Sequence, residues 1–181
     1  MTTLTFRPVT KSRWGDFEAL FESKGAPSYC WCMAWRDIDT DRASASNADR
    51  KRTMKSRVMK NTPVGLLGYD GDEPVAWVSI APRATFRAGL GGPEPETGET
   101  IWSLVCMFMK RSHRGRGLGH ALIAAAVAQA KKRGATLVEA YPVDPTSPSY
   151  RFMGFVPAYR KAGFHEVGKA GTRRHVMRLA L

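Results

Sequence analysis

Between residues 114 and 119 the chain reads Arg114-Gly115-Arg116-Gly117-Leu118-Gly119, with glycines at alternate positions and two arginines among them. Alternate glycines let a backbone bend sharply and approach a ligand closely, so several N–H groups of such a loop can face one bound anion. The apolar run from Ile101 to Met109 precedes the loop and reads as a buried strand, and an Ala- and Leu-rich stretch after it reads as a helix. The unpaired first-turn amides and the dipole of that helix favour negative charge at its start. Strand, glycine turn and helix start together form a cradle of the size a diphosphate needs. Two other phosphate loops do not fit. The dinucleotide fingerprint requires a glycine three residues after its second, where His120 stands, and the P-loop requires Lys then Ser or Thr after its last glycine, where His120 and Ala121 stand.

The pattern Arg114-x-x-Gly117-x-Gly119 resembles the coenzyme A pyrophosphate loop of the GNAT family of N-acetyltransferases. The resemblance spans roughly residues 100 to 170, taking in the strand before the loop, the helix that ends Lys131-Lys132-Arg133-Gly134 and the strand Thr136 to Tyr141. It also takes in Tyr159-Arg160-Lys161-Ala162-Gly163-Phe164, which is similar to the family's Tyr-x-x-x-Gly-Phe segment. It implies an α/β fold: a mixed, mostly antiparallel sheet of six to seven strands, helices on both faces, and the fourth and fifth strands splayed apart. It further implies acetyl-coenzyme A as cosubstrate, no metal, and direct attack of a primary amine on the thioester with no covalent enzyme intermediate.

On the same resemblance, main-chain groups of Met107, Phe108 and Met109 bind the pantetheine arm like an added strand, and the N–H near Met109 faces the thioester oxygen. The N–H groups of Arg114, Gly115, Arg116, Gly117, Leu118 and Gly119 hold the diphosphate, with the two arginine side chains adding charge. Tyr159 stands where a phenol can protonate the departing thiolate. The region after the first helix forms an acceptor wall in the family. Here it reads Tyr29-Cys30-Trp31-Cys32-Met33-Ala34-Trp35-Arg36, and Trp31, Trp35 and Arg36 are its candidate substrate residues; a cluster that only packs is the alternative. No Asp, Glu or His lies between Ile101 and Met109, so the general base stays unassigned among a water chain, Glu99, Glu139 and an amine arriving neutral. Cys106, in mid-strand with no partnered base, reads as an inert small hydrophobe.

These residues need a scaffold, and 181 residues suffice for one domain, 1–181, with a core that needs no disulfide staples. The 3 cysteines make neither a disulfide framework nor a zinc site, which points to a reducing, cytoplasmic setting. No run approaches the ~18 apolar residues of a membrane span. A net charge of +12 suits a polyanionic ligand, and it also suits nucleic acid. The aromatics sit in apolar settings instead of alternating with Lys or Arg, so nucleic acid is not the expected partner. A basic nucleic-acid-binding domain and a non-catalytic coenzyme sensor are the competing classes. The expected partners are a small-molecule or protein amine, with no membrane, and a homodimer is compatible with the sequence.

The elements follow from periodicity. Leu4 to Val9 reads as an edge strand, and Arg13 to Glu22 as a helix burying Trp14, Phe17, Leu20 and Phe21. Asp49 to Lys60 is a basic helix after a cap at Ser46 or Asn47. Val64 to Tyr69 and Pro74 to Ile80 form a hairpin about Asp70-Gly71-Asp72. Arg83 to Thr100, rich in Gly and Pro, is expected to be a flexible crossing loop; a plain surface connection is the favoured reading, with a lid or an acidic contact from Glu94, Glu96 and Glu99 as the alternative. Gly117 to Arg133 is the helix after the cradle, a last helix starts near Val156, and Phe164 to Val167 and Arg173 to Leu179 are closing antiparallel strands.

Overall fold

The computed structural model describes residues 3–181. Within them the strands are β1 (Thr5–Pro8), β2 (Leu66–Asp70), β3 (Glu73–Pro82), β4 (Ile101–Met109), β5 (Leu137–Ala140), β6 (His165–Ala170) and β7 (Arg174–Ala180). The helices are α1 (Trp14–Glu22), α2 (Asn47–Met59), α3 (Gly119–Lys132) and α4 (Val156–Lys161). The strands form one 7-stranded sheet in the order β1-β2-β3-β4-β5-β7-β6. Every pairing is antiparallel except β4 with β5.

Side-chain alternation explains why this sheet is covered on both faces. Along β3, Ala76, Val78 and Ile80 join one apolar cluster with Leu122, Ile123 and Ala126 of α3 and Val156 and Tyr159 of α4. Trp77 points the other way, into a cluster with Phe17 and Phe21 of α1 and Met54 and Val58 of α2. Successive strand residues face opposite sides, so a central strand apolar on both faces requires helices above and below.

The pairing of β4 changes character along its length. Its first half pairs with β5 from Ile101 opposite Leu137 to Leu104 opposite Ala140, and there the parallel ladder stops. On the other side, Cys106 lies opposite Ser79 and Leu104 opposite Ile80, which leaves Val105 as an extra residue in a β-bulge. An extra residue reverses the alternation. Leu104, Met107 and Met109 therefore share the α3 face, whereas Cys106 and Phe108 turn to the α1 and α2 face. Beyond the bulge the β5 side of β4 has no strand partner, and this is the splay.

Local chemistry sets the helix ends. Ser46 caps α2 in a capping box, its hydroxyl accepting from the Asp49 amide at 3.1 Å while the Asp49 carboxylate accepts from the Ser46 amide at 2.9 Å. Gly134, with φ +81°, follows α3 in the left-handed conformation that ends helices. The stretch from Arg83 to Thr100 is irregular as expected, but it is not a free loop. Arg83 and Arg178 both donate to the Pro93 carbonyl at 2.8 Å, and Arg174 donates to the carbonyls of Leu90 at 2.7 Å and Gly89 at 3.1 Å. Arg36, Arg57 and Arg87 likewise donate to backbone carbonyls. These arginines thus crosslink loops to one another, to a helix or to the sheet, which gives part of the +12 charge a structural role without any external partner.

Candidate active site

The glycine loop folds back on the end of β4. Gly115 and Gly117 take φ of +76° and +71°, and a Cβ at either would meet nothing within 4 Å, so the space beside the loop backbone is open. Arg114 curls inward: its Nε donates to the Met109 carbonyl at 2.8 Å and its guanidinium lies 5.8 Å from the Phe108 ring. One carbonyl of the splayed edge is therefore already engaged. His113 fastens the loop to the β2–β3 turn, Nε2 lying 3.0 Å from an Asp70 carboxylate oxygen. Helix α3 begins with no side-chain cap at Leu118, which leaves its first-turn amides available to a ligand. A cavity of about 280 Å³ runs from Met107–Met109 under Gly115, Gly117, Leu118 and Gly119. Arg116 is exposed on the loop and lines no cavity beside it.

A second cavity, of about 490 Å³, opens on the other side of the same edge. Val105 to Met109 form its floor, and its walls include Tyr29, Cys30, Cys32, Trp35, Arg114, Arg151 and Phe152. Of the three wall candidates only Trp35 lines it; the guanidiniums of Arg174 and Arg87 lie 4.4 and 4.9 Å from its ring. Trp31 is a correction. Its backbone is left-handed at φ +49°, which turns the indole into the α1 cluster, 5.5 Å from the Phe21 ring and stacked on it. Arg36 is a second correction. It is 1 % exposed and donates to the carbonyls of Cys32 and Val64 and to the Ser79 hydroxyl, so it clamps the wall from behind. The exposed aromatics Tyr29 and Phe152 at the mouth, and Arg151 beside them, belong to no sequence motif; large aromatics in solvent are the signal that marks such a rim.

Tyr159 is wholly buried under this floor. Its hydroxyl donates to the Met153 carbonyl at 3.1 Å, and burial holds its pKa well above the usual phenol range. Gly154 separates it from the smaller cavity: a Cβ there would lie 2.7 Å from the Met107 methyl and 2.8 Å from the Tyr159 ring. With φ +85° as well, Gly154→Ala is expected to cost about 2–3 kcal/mol in urea unfolding, from strain and overlap together. Neither carboxylate considered as a base reaches the cleft. Glu139 is fully buried and bound by Arg178 and Tyr141, and Glu99 lines a separate cavity of about 440 Å³ under the crossing loop. Glu94 lies there too, so neither of these two carboxylates lines the cleft. Among the described residues, no group of three or more His, Cys, Asp or Glu side chains could hold a metal ion, and no helix is long and apolar enough to cross a membrane.

A splayed β4–β5 pair beside a glycine-rich helix start defines an acyltransferase architecture, and comparison with known proteins agrees. The acetyltransferase (GNAT) family model matches residues 12–164, and the chain belongs to that family. It is thus an N-acetyltransferase, of the class that takes acyl groups from acetyl-coenzyme A. An uncharacterised protein from Bacillus halodurans superposes with a TM-score of 0.63 at 14% identity, covering 98% of this chain and 83% of that one. An aminoglycoside acetyltransferase in complex with coenzyme A gives 0.61 at 18% identity, covering 98% and 95%. A ribosomal-protein-alanine N-acetyltransferase from Brucella melitensis gives 0.57 at 19% identity, covering 98% and 100%. These likenesses establish the fold. No curated protein matches the sequence.

Proposed function

We propose that the protein transfers an acetyl group directly from acetyl-coenzyme A to a primary amine whose body is apolar or aromatic, on a small molecule or a protein segment. One observation carries this: the edge Met107–Met109 is shared by two cavities, one running to the glycine loop and the other to an aromatic wall. A long ligand with an anionic end suits the first and presents its reactive end at the second. The residues present fit coenzyme A, because the helix start is uncapped and Gly115, Gly117 and Gly119 line the cavity with no side chain in the way. Acetyl-coenzyme A supplies an acyl group already activated as a thioester.

The chain does the rest. Amides of Arg114 to Gly119, with the Arg114 side chain, hold the diphosphate, and the exposed Arg116 adds positive charge nearby. Main-chain groups of Met107, Phe108 and Met109 align the pantetheine arm, and the N–H near Met109 stabilises the developing oxyanion. Tyr159 returns a proton to the leaving thiolate once its hydroxyl exchanges the Met153 carbonyl for the sulfur, an exchange that must also relieve the burial that weakens it as an acid. The larger cavity is lined by no Asp, Glu or His, so the acceptor enters as a neutral amine and sheds its proton to water. Arg114 and Arg151 at that cavity repel polycations. The free cysteines favour a reducing, cytoplasmic setting.

Thermal shift and thiol release test this together. Acetyl-coenzyme A is expected to raise the melting temperature, and free thiol is expected with an arylalkyl amine but not with spermidine. Stabilisation by an oligonucleotide and none by acetyl-coenzyme A would sink the proposal.

A further inference from the structure

All 3 cysteines of the chain border the larger cavity, and the transfer chemistry uses none of them. Cys32 has unusual neighbours. The Arg36 guanidinium is buried, and its partners are the Cys32 carbonyl at 2.7 Å, the Val64 carbonyl at 2.9 Å, the Ser79 hydroxyl at 2.9 Å and the Cys32 sulfur at 3.3 Å. Among the described residues none of these partners is a carboxylate. A buried cation without a counter-charge is costly, and Cys32 Sγ is the one group bonded to it that can become an anion. Trp77 Nε1 donates to the same sulfur at 3.4 Å. The Ser79 hydroxyl, which accepts from Arg36, keeps its own hydrogen to give.

The bulge at Val105 completes the arrangement. It turns Cys106 onto the face that carries Cys32, Cys106 lies opposite Ser79, whose hydroxyl shares the Arg36 guanidinium with the Cys32 sulfur, and both thiols border the same cavity. The Cys106 thiol, then the Arg36 charge, hold the Cys32 thiol below its ordinary value, whereas burial raises Cys30 and the contact with Cys32 raises Cys106.

We propose that Cys32, held against the Arg36 guanidinium at this cavity, and Cys106 as its resolving thiol form a site that hydrogen peroxide oxidises to a disulfide. In the first step Cys32 Sγ attacks one peroxide oxygen. The S–O bond forms, the O–O bond breaks, the sulfur is oxidised to a sulfenic acid, and the other oxygen leaves as hydroxide, protonated to water. In the second step Cys106 attacks the Cys32 sulfur. The S–S bond forms, the S–O bond breaks, and the hydroxide leaves with the Cys106 proton as water. Overall one peroxide is reduced to two waters for one disulfide made. The reaction does not depend on acetyl transfer, and its test needs no coenzyme.

The probe is hydrogen peroxide, applied to the native chain before denaturation and thiol titration. The expected result is a fall from 3 titratable thiols to one, reversed by dithiothreitol, with a tryptic pair joining residues 25–36 to residues 88–110. Cys30→Ser is expected to form the same bond, and Cys106→Ser to stop at a dimedone-trappable sulfenate on Cys32. Peptide mapping of the unsubstituted chain locates the oxidised sulfur even where a variant fails to fold. Survival of all thiols, or oxidation centred on Cys30 with Cys32 unmodified, overturns the assignment.

Discussion

Gly117→Val is expected to weaken coenzyme A binding by about a hundredfold or more while the fold survives. Gly117 sits at φ +71°, where an L-residue pays roughly 1–2 kcal/mol and a β-branched one the most. A Cβ there meets nothing within 4 Å, so the penalty is conformational and the core is not disturbed. The loop relieves the strain by rotating out of the left-handed region, which turns the neighbouring amides away from the phosphate position. Hydrogen bonds to a charged group are worth about 1.5–3 kcal/mol each, so losing two removes at least ~3 kcal/mol, roughly a hundredfold in Kd. The melting temperature should fall by no more than about 2–8 °C. Isothermal titration of coenzyme A measures the first effect and calorimetry the second. Gly117→Asn is the control, since asparagine tolerates left-handed backbone, and it should stay within about threefold of the native Kd. A valine variant that binds as the native chain does would mean that the cradle amides do not hold the phosphates.

The elements that position this loop were legible because their signals are local. Gly119–Lys132 replaces the expected Gly117 to Arg133, and Val156–Lys161 begins where Pro157 in the first turn says a helix can begin. What stayed hidden depends on distant partners. Ile101 to Met109 is apolar throughout, so no alternation records the bulge at Val105, and the face taken by Cys106 follows only from its register against β3. The count of Gly and Pro between Arg83 and Thr100 forecasts irregular backbone but says nothing of mobility. Arg174 and Arg178, some 85 positions away, hold it down. Trp31 and Trp35 are equivalent aromatics by sequence, and a left-handed turn at Trp31 and Cys32 sends one to the core and leaves the other on the wall. Arg36 next to a candidate pocket suggests a ligand contact; the carbonyl of Val64, 28 residues on, makes it a buried clamp.

The crossing loop also sets up the largest expected loss of stability, that of Glu139→Ala. Glu139 is 0 % exposed, and its carboxylate accepts from Arg178 Nε at 2.8 Å and from the Tyr141 hydroxyl at 2.6 Å, with Arg83 Nη1 at 3.4 Å. The same two arginines hold the Pro93 carbonyl, so a single buried anion orients both clamps of the loop. Forming a buried pair gains little net free energy, but removing one partner strands the other. The expected cost is about 3–5 kcal/mol. For a chain of 181 residues this corresponds to a melting temperature lower by roughly 6–20 °C. Glu139→Gln keeps the shape and one acceptor for Tyr141 yet leaves Arg178 with only the Glu99 carboxylate, 4.0 Å away, as counter-charge, so it should recover about half of the loss or less. Arg178→Met on top of Glu139→Ala should cost much less than the sum of the two single changes, because the stranded guanidinium is gone. Urea denaturation of the three variants measures this coupling, and additive losses would show that the carboxylate does not act through Arg178. Gly92 sharpens the point. A Cβ there would come within 2.4 Å of Glu139 Oε2, so the loop backbone rests directly on the carboxylate, and its loss should loosen residues 83–100 first, as faster amide exchange there than in β4.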